Sequence, residues 1–258
     1  MCLILISYDI HPVYRLIIAA NRDEYYNRPT RPLGFWNSTP GILAGRDLRG
    51  KGTWLGVTGK GLFAAITNYR DPSTLKDDAP SRGKLITDFL NGKTAPGTYM
   101  EHVKRVGQRY NGFNLFTGDI SEFYYYSNME QIIKKIKPGI YGISNHLLDT
   151  PWPKVEKAKD FFKNIVTGKD GIDPEDLFAV LEDRTLPSDD QLPDTGVGID
   201  WERRLSSIFI RSKIYGTRSS SVILYDRAGN IKFIERTFIP IEEKEVKQST
   251  KTFQFAIS

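Results

Sequence analysis

The sequence predicts an α+β protein, with two sheets lying between outer helices. Strand-like segments come first, recur in the middle and come last, and pairs of amphipathic helical segments separate them. Blocks segregated in this way indicate α+β rather than an alternating, doubly wound sheet. No period of about 20–50 residues repeats. No long linker divides the 258 residues, so one domain over residues 1–258 is expected.

Residues 2–8 and 14–20 are short, β-branched runs bounded by turn residues, and they read as a hairpin of two strands. Both are apolar at nearly every position, as strands covered on both faces are. Residues 21–41, rich in Asn, Pro and Arg, read as a link. Segments 53–58 and 61–67 flank Gly59-Lys60, the kind of dipeptide that closes a tight hairpin. A helix is expected from Ser81 as N-cap to a stop at Gly92, with Leu85, Ile86, Phe89 and Leu90 on one face. A second runs from Pro96 to about Tyr110. Strands follow at 113–117, 122–127 and up to Ser144. Residues 153–166 place Val155, Ala158, Phe161, Phe162 and Ile165 at helical spacing. Asp173-Pro174-Glu175-Asp176 starts another helix, with Pro in its first turn and acids at its positive end. Beyond a loop at 187–200, strands are expected at 206–211, 217–225, 230–238 and 251–257.

Composition narrows the function. Hydrophobic residues at 40% and charged residues at 26% are ordinary globular usage, which excludes disorder, collagen and coiled coil. A net charge of +5 suits anionic ligands but falls short of a dedicated nucleic-acid surface. One cysteine allows no intrachain disulfide and no multi-cysteine metal site, and three histidines leave little for a metal centre. The apolar run at the start ends at Asp9 with no basic residue before it, too short for a signal peptide or a membrane span. Nothing elsewhere approaches about 18 uninterrupted apolar residues. A cytoplasmic protein without stable membrane insertion is expected. Dinucleotide-binding, phosphate-loop, zinc-protease and serine-hydrolase motifs are all missing from the sequence.

The residues that could carry chemistry sit at strand ends. Cys2 follows Met1, and methionine aminopeptidases remove Met before a small residue. The product would carry a thiol and a free α-amine on one residue, with reference pKa values of about 8.5 and about 7.7–8.0, so the amine can act as a built-in base. The alternative is a small buried hydrophobe opening a strand. Asn21-Arg22-Asp23-Glu24 closes the second strand, and antiparallel pairing brings that end beside Cys2. There a guanidinium would stabilise a thiolate or bind an anion, and Asp23 could orient the α-ammonium; the alternative is a polar turn with a local ion pair. Asn68, Asn145 and Arg218 end other strands, as oxyanion donors and an anion-binding cation, or simply as a turn residue or a solvated charge. The aromatic run 123–126 reads as a strand and the basic run 134–137 as a solvated edge.

Met1-Cys2, Ala19-Ala20-Asn21-Arg22-Asp23-Glu24, Ala44-Gly45-Arg46-Asp47, Gly52-Thr53-Trp54-Leu55-Gly56 and Thr67-Asn68-Tyr69-Arg70 together resemble the NRDE family, that of the transport and Golgi organization protein 2. Tyr141–Asn145, Trp152-Pro153-Lys154-Val155 and Tyr215-Gly216-Thr217-Arg218-Ser219-Ser220 extend the resemblance over nearly the whole chain. The resemblance implies the four-layer αββα fold of N-terminal nucleophile hydrolases, with bile salt hydrolases and penicillin V acylases as enzymatic relatives. It implies Cys2 as nucleophile, Asp23 as holder of the α-amine, Asn68 and Asn145 as oxyanion amides, and Arg218 as an active-site cation. The acylases carry Arg a few residues before the Asp, where this chain has Ala20, and here Arg22 adjoins Asp23 instead.

Two functions follow from the resemblance. One is a cysteine amidohydrolase or thioester hydrolase acting on a small acylated substrate. The other is a non-catalytic carrier on the same fold, since roles in haem trafficking and in lipid or acyl-CoA handling have been proposed for eukaryotic relatives. On that reading Arg22, Arg46 and Arg70, with Asn21 and Glu24 nearby in sequence, would grip propionates or phosphates. No cofactor is expected. Haem as a ligand would draw on Cys2, His11, His102 or His146, each of which also reads as an ordinary core or surface residue.

Overall fold

Cys2–Tyr8, seven consecutive buried residues, form β1, and Tyr14–Tyr25 form β2, paired antiparallel to it from Cys2↔Arg22 to Tyr8↔Leu16. The structure, a computed structural model, describes residues 2–39, 41–168, 171–240 and 246–258. The remaining strands are β3 (Thr30–Phe35), β4 (Ile42–Asp47), β5 (Leu55–Thr58), β6 (Phe63–Asn68), β7 (Phe113–Gly118), β8 (Phe123–Ser127), β9 (Ile133–Lys135), β10 (Gly139–Ile143), β11 (Tyr215–Asp226), β12 (Asn230–Pro240) and β13 (Val246–Ala256). The α-helices are α1 (Gly83–Asn91), α2 (Pro96–Val106), α3 (Pro153–Gly168), α4 (Pro174–Leu181) and α5 (Ile199–Leu205). The class is α+β, with two large antiparallel sheets, each flanked by helices.

The chain divides into two compact units. The first takes Met1–Asn27, Pro138–Ala228 and Lys232–Gln254 and holds a six-stranded sheet in the order β10-β1-β2-β11-β12-β13. Strands β1 and β2 have partners on both sides. Side chains alternate across a strand. Leu3, Leu5, Ile17, Ala19, Val222 and Leu224 therefore point to one face, where they pack against Val155, Ala158 and Phe162 of α3 and Leu177, Phe178 and Leu181 of α4. Asp173 caps α4 by accepting the Glu175 N–H, as its sequence predicts.

The second unit is Arg28–Lys137 with Gly229–Ile231 and Phe255–Ser258, and its seven-stranded sheet runs in sequence order from β3 to β9. Leu85, Ile86, Phe89 and Leu90 of α1 and Tyr99, Met100 and Val103 of α2 cover Ile42, Ala44, Ala64, Ile66, Phe113 and Leu115 of this sheet. Gly59-Lys60 closes the β5–β6 hairpin, with Gly61 at φ +78°. The basic run 134–137 begins in β9, the edge strand. Among the described residues, no helix is long and apolar enough to cross a membrane.

Three expectations need correction. Residues 21–41 are not a link, because β2 continues through Tyr25, β3 follows, and β4 comes directly after. Segment 206–211 is not a strand beyond an isolated Arg211↔Gly216 bridge, because its groups bond to scattered partners: Asn21 Nδ2 donates to Ile208 O at 2.9 Å, the Ser207 hydroxyl to Phe209 O at 2.8 Å, and the Phe209 N–H to Asp183 O at 2.7 Å. Ser81 does not cap α1 with its side chain; Arg82 precedes the helix, and Ser81 contributes only its carbonyl, to the Lys84 N–H.

Candidate active site

Antiparallel register puts Cys2 opposite Arg22, so both side chains share one face of the first sheet. On the other flank β10 pairs with β1 up to Ile4↔Ile143, and the chain continues from there as Ser144-Asn145. The Ser144 hydroxyl donates to Cys2 O at 3.1 Å and lies 3.2 Å from Asn145 Oδ1, which ties Asn145 to the start of β1. Cys2 is 8% exposed, Arg22 9%, Asp23 2% and Asn145 0%, so this strand end is a buried polar cluster rather than a solvated turn.

Each charge there has an identifiable environment. Burial pushes the Cys2 thiol above its ordinary range and the Asp23 charge adds to that, while the Arg22 guanidinium and a hydrogen bond from the Asp23 backbone N–H pull the other way. Burial likewise pushes the Asp23 carboxyl up, opposed by Lys154, by the Thr217 hydroxyl and by Arg22. That hydroxyl donates to Asp23 Oδ1 at 2.7 Å and accepts the Ile210 N–H at 2.9 Å, so Asp23 is held by a fixed donor. Arg22 pairs with Glu24 at 3.8 Å, the two lying on the same strand face.

The register between β2 and β11 shifts between Thr217 and Ser219, leaving Arg218 as the extra residue of a bulge. Bulges re-aim side chains. Here the guanidinium turns to Tyr25 O at 2.9 Å and Tyr26 O at 3.1 Å. Burial, and then the like charge of Arg22, lower its pKa, partly offset by Glu24. Two arginines thus share one end of the sheet, a setting suited to an anionic group.

The sequence-predicted residues divide between the units. Cys2, Asn21, Arg22, Asp23, Glu24, Asn145 and Arg218 lie in the first, while Arg46, Asn68 and Arg70 lie in the second. Asn68 is exposed at the end of β6, Arg70 is buried, and Arg46 stacks over Trp36 at 4.6 Å and reaches Ser38 Oγ at 3.3 Å. Asn21 does not face a ligand. Its Nδ2 donates to Leu181 O at 2.8 Å and Ile208 O at 2.9 Å, and its Oδ1 accepts from Ser220 at 2.6 Å, which engages both amide hydrogens inside the fold.

The histidines considered for haem each have their own surroundings. His11 sits at the turn beyond the far end of β1 from Cys2, and its Nδ1 accepts the Val13 and Tyr14 N–H groups, each at 3.1 Å. His102 is exposed on α2 in the second unit, and His146 Nδ1 meets Thr150 Oγ1 at 2.8 Å. Among the described residues no cluster of three or more His, Cys, Asp or Glu could hold a metal ion.

Sequence reasoning missed Ser144, Thr217 and Lys154. Lys154 is 5% exposed, and its Nζ donates to Leu205 O at 2.8 Å. Its sequence signal is its place in the motif Trp152-Pro153-Lys154-Val155, where Val155 belongs to the row of α3 that faces the sheet. A cavity of about 440 Å³ in this unit borders Lys154, Ser206 and Ile208 and is not lined by Cys2 or Asp23. Met1, on whose removal a free Cys2 amine depends, lies outside the described residues.

Comparison with known proteins places this constellation in a family. The sequence model of the Transport and Golgi organisation 2 family matches residues 1–240. The chain belongs to that family. Among its relatives, the mouse Transport and Golgi organization 2 homolog is 36% identical, with 100% of this chain and 99% of the mouse protein covered. The bovine homolog is 37% identical, with 98% and 99% covered. The Drosophila melanogaster protein is 28% identical, with 94% of each covered. Similar solved structures include a Caenorhabditis elegans N-acylethanolamine-hydrolyzing acid amidase ortholog, at TM-score 0.49 and 10% identity over 86% of this chain and 92% of that one. A mutant conjugated bile acid hydrolase from Clostridium perfringens is similar at TM-score 0.49 and 12% identity, over 100% and 98%. For this member of the Transport and Golgi organisation 2 family, the chemistry has to be argued from its own side chains.

Proposed function

We propose that the protein is a cysteine hydrolase of small acylated substrates, in which removal of Met1 frees the α-amine of Cys2 and the thiol attacks an amide or thioester carbonyl. The observation that carries this reading is the pairing of the chain's one cysteine with Arg22 across the strand, at a buried strand end that also holds Asp23 and Asn145. Because burial favours the neutral thiol, the thiolate forms only as the α-amine takes its proton during attack. Sulfur bonds to the carbonyl carbon, and the oxyanion that results is met by the Asn145 amide, whose Oδ1 end is held by Ser144. Collapse expels the amine or thiol, which leaves with the proton from the α-ammonium. Water then attacks the thioester on Cys2, returns the thiol and releases the acid. Asp23 orients the ammonium throughout, and Arg22 and Arg218 favour an anionic substrate.

The test combines an intact mass of protein from its native host with a panel of N-acyl amides and acyl thioesters. The expected outcome is a mass lacking Met1, and turnover that Cys2→Ala reduces by about a thousandfold or more while ligand binding persists. Native protein that keeps Met1 and turns over no panel member would instead support a carrier that uses the same arginines for binding.

A further inference from the structure

No step of the reaction above uses the cavity of about 440 Å³ in the first unit. It lies between the start of α3, the loop beyond α4 and the segment 206–208. Its lining includes Lys154, Glu156 and Lys157 from α3, Leu186 and Pro187 from the loop, and Ile208. Sites for small organic molecules have this size, and they combine apolar walls with a few placed polar groups.

The walls are tied to one another. Asp183 joins α3 to the loop, with Oδ2 at 2.9 Å from Lys157 Nζ and Oδ1 accepting the Thr185 N–H at 2.8 Å. Arg203 pins the loop to α5 by donating to both carboxylate oxygens of Asp189, at 2.8 and 2.6 Å. Helix α5 ends at Leu205, whose carbonyl accepts from Lys154 Nζ at 2.8 Å. A cavity framed in this way is pre-formed, so filling it costs little ordering of the chain. Two of its side chains carry positive charge and one carries negative. Lys154 is 5% exposed, Lys157 is half-buried and Glu156 is exposed. An exposed charge is screened far more than a buried one, so Lys154 outweighs Glu156 inside the cavity. Lys157 is partly offset by Asp183, but an ammonium has three donors and an anion can share it. Apolar surface faces these cations from buried Ile208 and from Leu186, which is 59% exposed.

We propose that this cavity is a binding site for a small carboxylate with a short apolar tail. The carboxylate meets Lys154 and Lys157, and the tail lies against Leu186, Pro187 and Ile208 and withdraws their surface from water. Neither Cys2 nor Asp23 lines the cavity, so this second site is independent of the hydrolase reading. Glu156 opposes the ligand, because its carboxylate stands beside the same opening and repels an anion.

The experiment titrates the full chain with hexanoate and follows the methyl signals of Leu186 and Ile208 by NMR. Hexylammonium, hexanol, acetate and inorganic phosphate are the comparison probes. Hexanoate is expected to shift both signals saturably, and each comparison probe to bind about tenfold more weakly or worse, having lost either the charge or the tail. Lys154→Met and Lys157→Gln should each weaken hexanoate by about threefold or more, whereas Glu156→Gln should tighten it by about twofold. If Lys154→Met does not fold, the other two variants decide, since both of their positions reach solvent. Unsaturable or absent shifts, hexylammonium or hexanol binding as tightly as hexanoate, or an affinity unchanged in both Lys157→Gln and Glu156→Gln overturns the proposal. Acetate or phosphate binding as tightly as hexanoate overturns it too, because the apolar wall would then contribute nothing.

Discussion

Arg22 illustrates how much one strand repeat decides. Ala20 and Arg22 lie on the same face of β2, Ala20 opposite Ile4 and Arg22 opposite Cys2. An arginine at position 20 would sit one repeat deeper, opposite Ile4, whereas position 22 lies directly opposite Cys2. The effect of Arg22 can be measured without knowing the substrate. Arg22→Gln should slow alkylation of Cys2 by iodoacetamide about three- to tenfold at neutral pH, since each unit of thiol pKa is tenfold in thiolate at pH values below it. The alkaline rise in rate should move to higher pH, because the guanidinium opposes the upward push of burial. A rate profile that coincides with wild type from about pH 6 to about pH 10 would mean that Glu24 neutralises Arg22 and leaves nothing for the sulfur.

At the scale of elements, legibility followed where each segment finds its hydrogen-bond partners. The β1–β2 hairpin, α1, α3 and α4 were readable because their apolar period and their end signals are local. The outer half of β2 was not, since Asn21 and Asp23 read as loop residues until Leu181, Ile208 and Thr217 supply their partners from distant parts of the chain. Segment 206–211 failed in the opposite sense, being apolar enough for a strand yet bonded to scattered side chains and backbone groups instead of a ladder. The grouping of Cys2 with Arg22 and Asp23 was legible because antiparallel pairing alone implies it. Lys154 was hidden by its helix, in which one lysine beside Val155 looks like an ordinary polar position. A family motif without chemical groups also acquires a role here. An added Cβ at Gly52 would lie 2.5 Å from the Gly83 carbonyl carbon, and backbone at that distance cannot rotate away. Gly52 thus lets the start of α1 rest directly on the chain leading into β5. Gly52→Ala is expected to cost about 1–3 kcal/mol in urea unfolding, with Gly59→Ala, whose Cβ would meet open space, as the control. Equal stability of the two variants would show that α1 can lift without penalty.

At the scale of the molecule, the two sheets impose different orders of assembly. The second sheet follows chain order from β3 to β9, so each strand pairs with its neighbour in sequence. Leu115 faces Tyr126 across a short connection. The first sheet instead pairs Ile18 with Ile223 and Asn21 with Ser220, and most of the chain lies between those partners. Closing so long a loop costs more entropy and must precede any gain from the contacts it makes. The candidate site depends on that closure, because the Thr217 hydroxyl reaches Asp23 only when β11 has docked on β2. Chains of this length commonly populate intermediates. The expected intermediate has the β6–β7–β8 meander formed and β11 still unpaired. In pulsed hydrogen exchange during refolding, the amides of Leu115 and Phe116 should gain protection before those of Val222 and Ile223, and Cys2 should be alkylated at the faster rate of an unfolded chain until the second group is protected. Simultaneous protection of both groups would mean that the sheets form in one cooperative step. Earlier protection of Val222 and Ile223 would mean that collapse of the apolar β1–β2 hairpin, rather than loop length, directs folding.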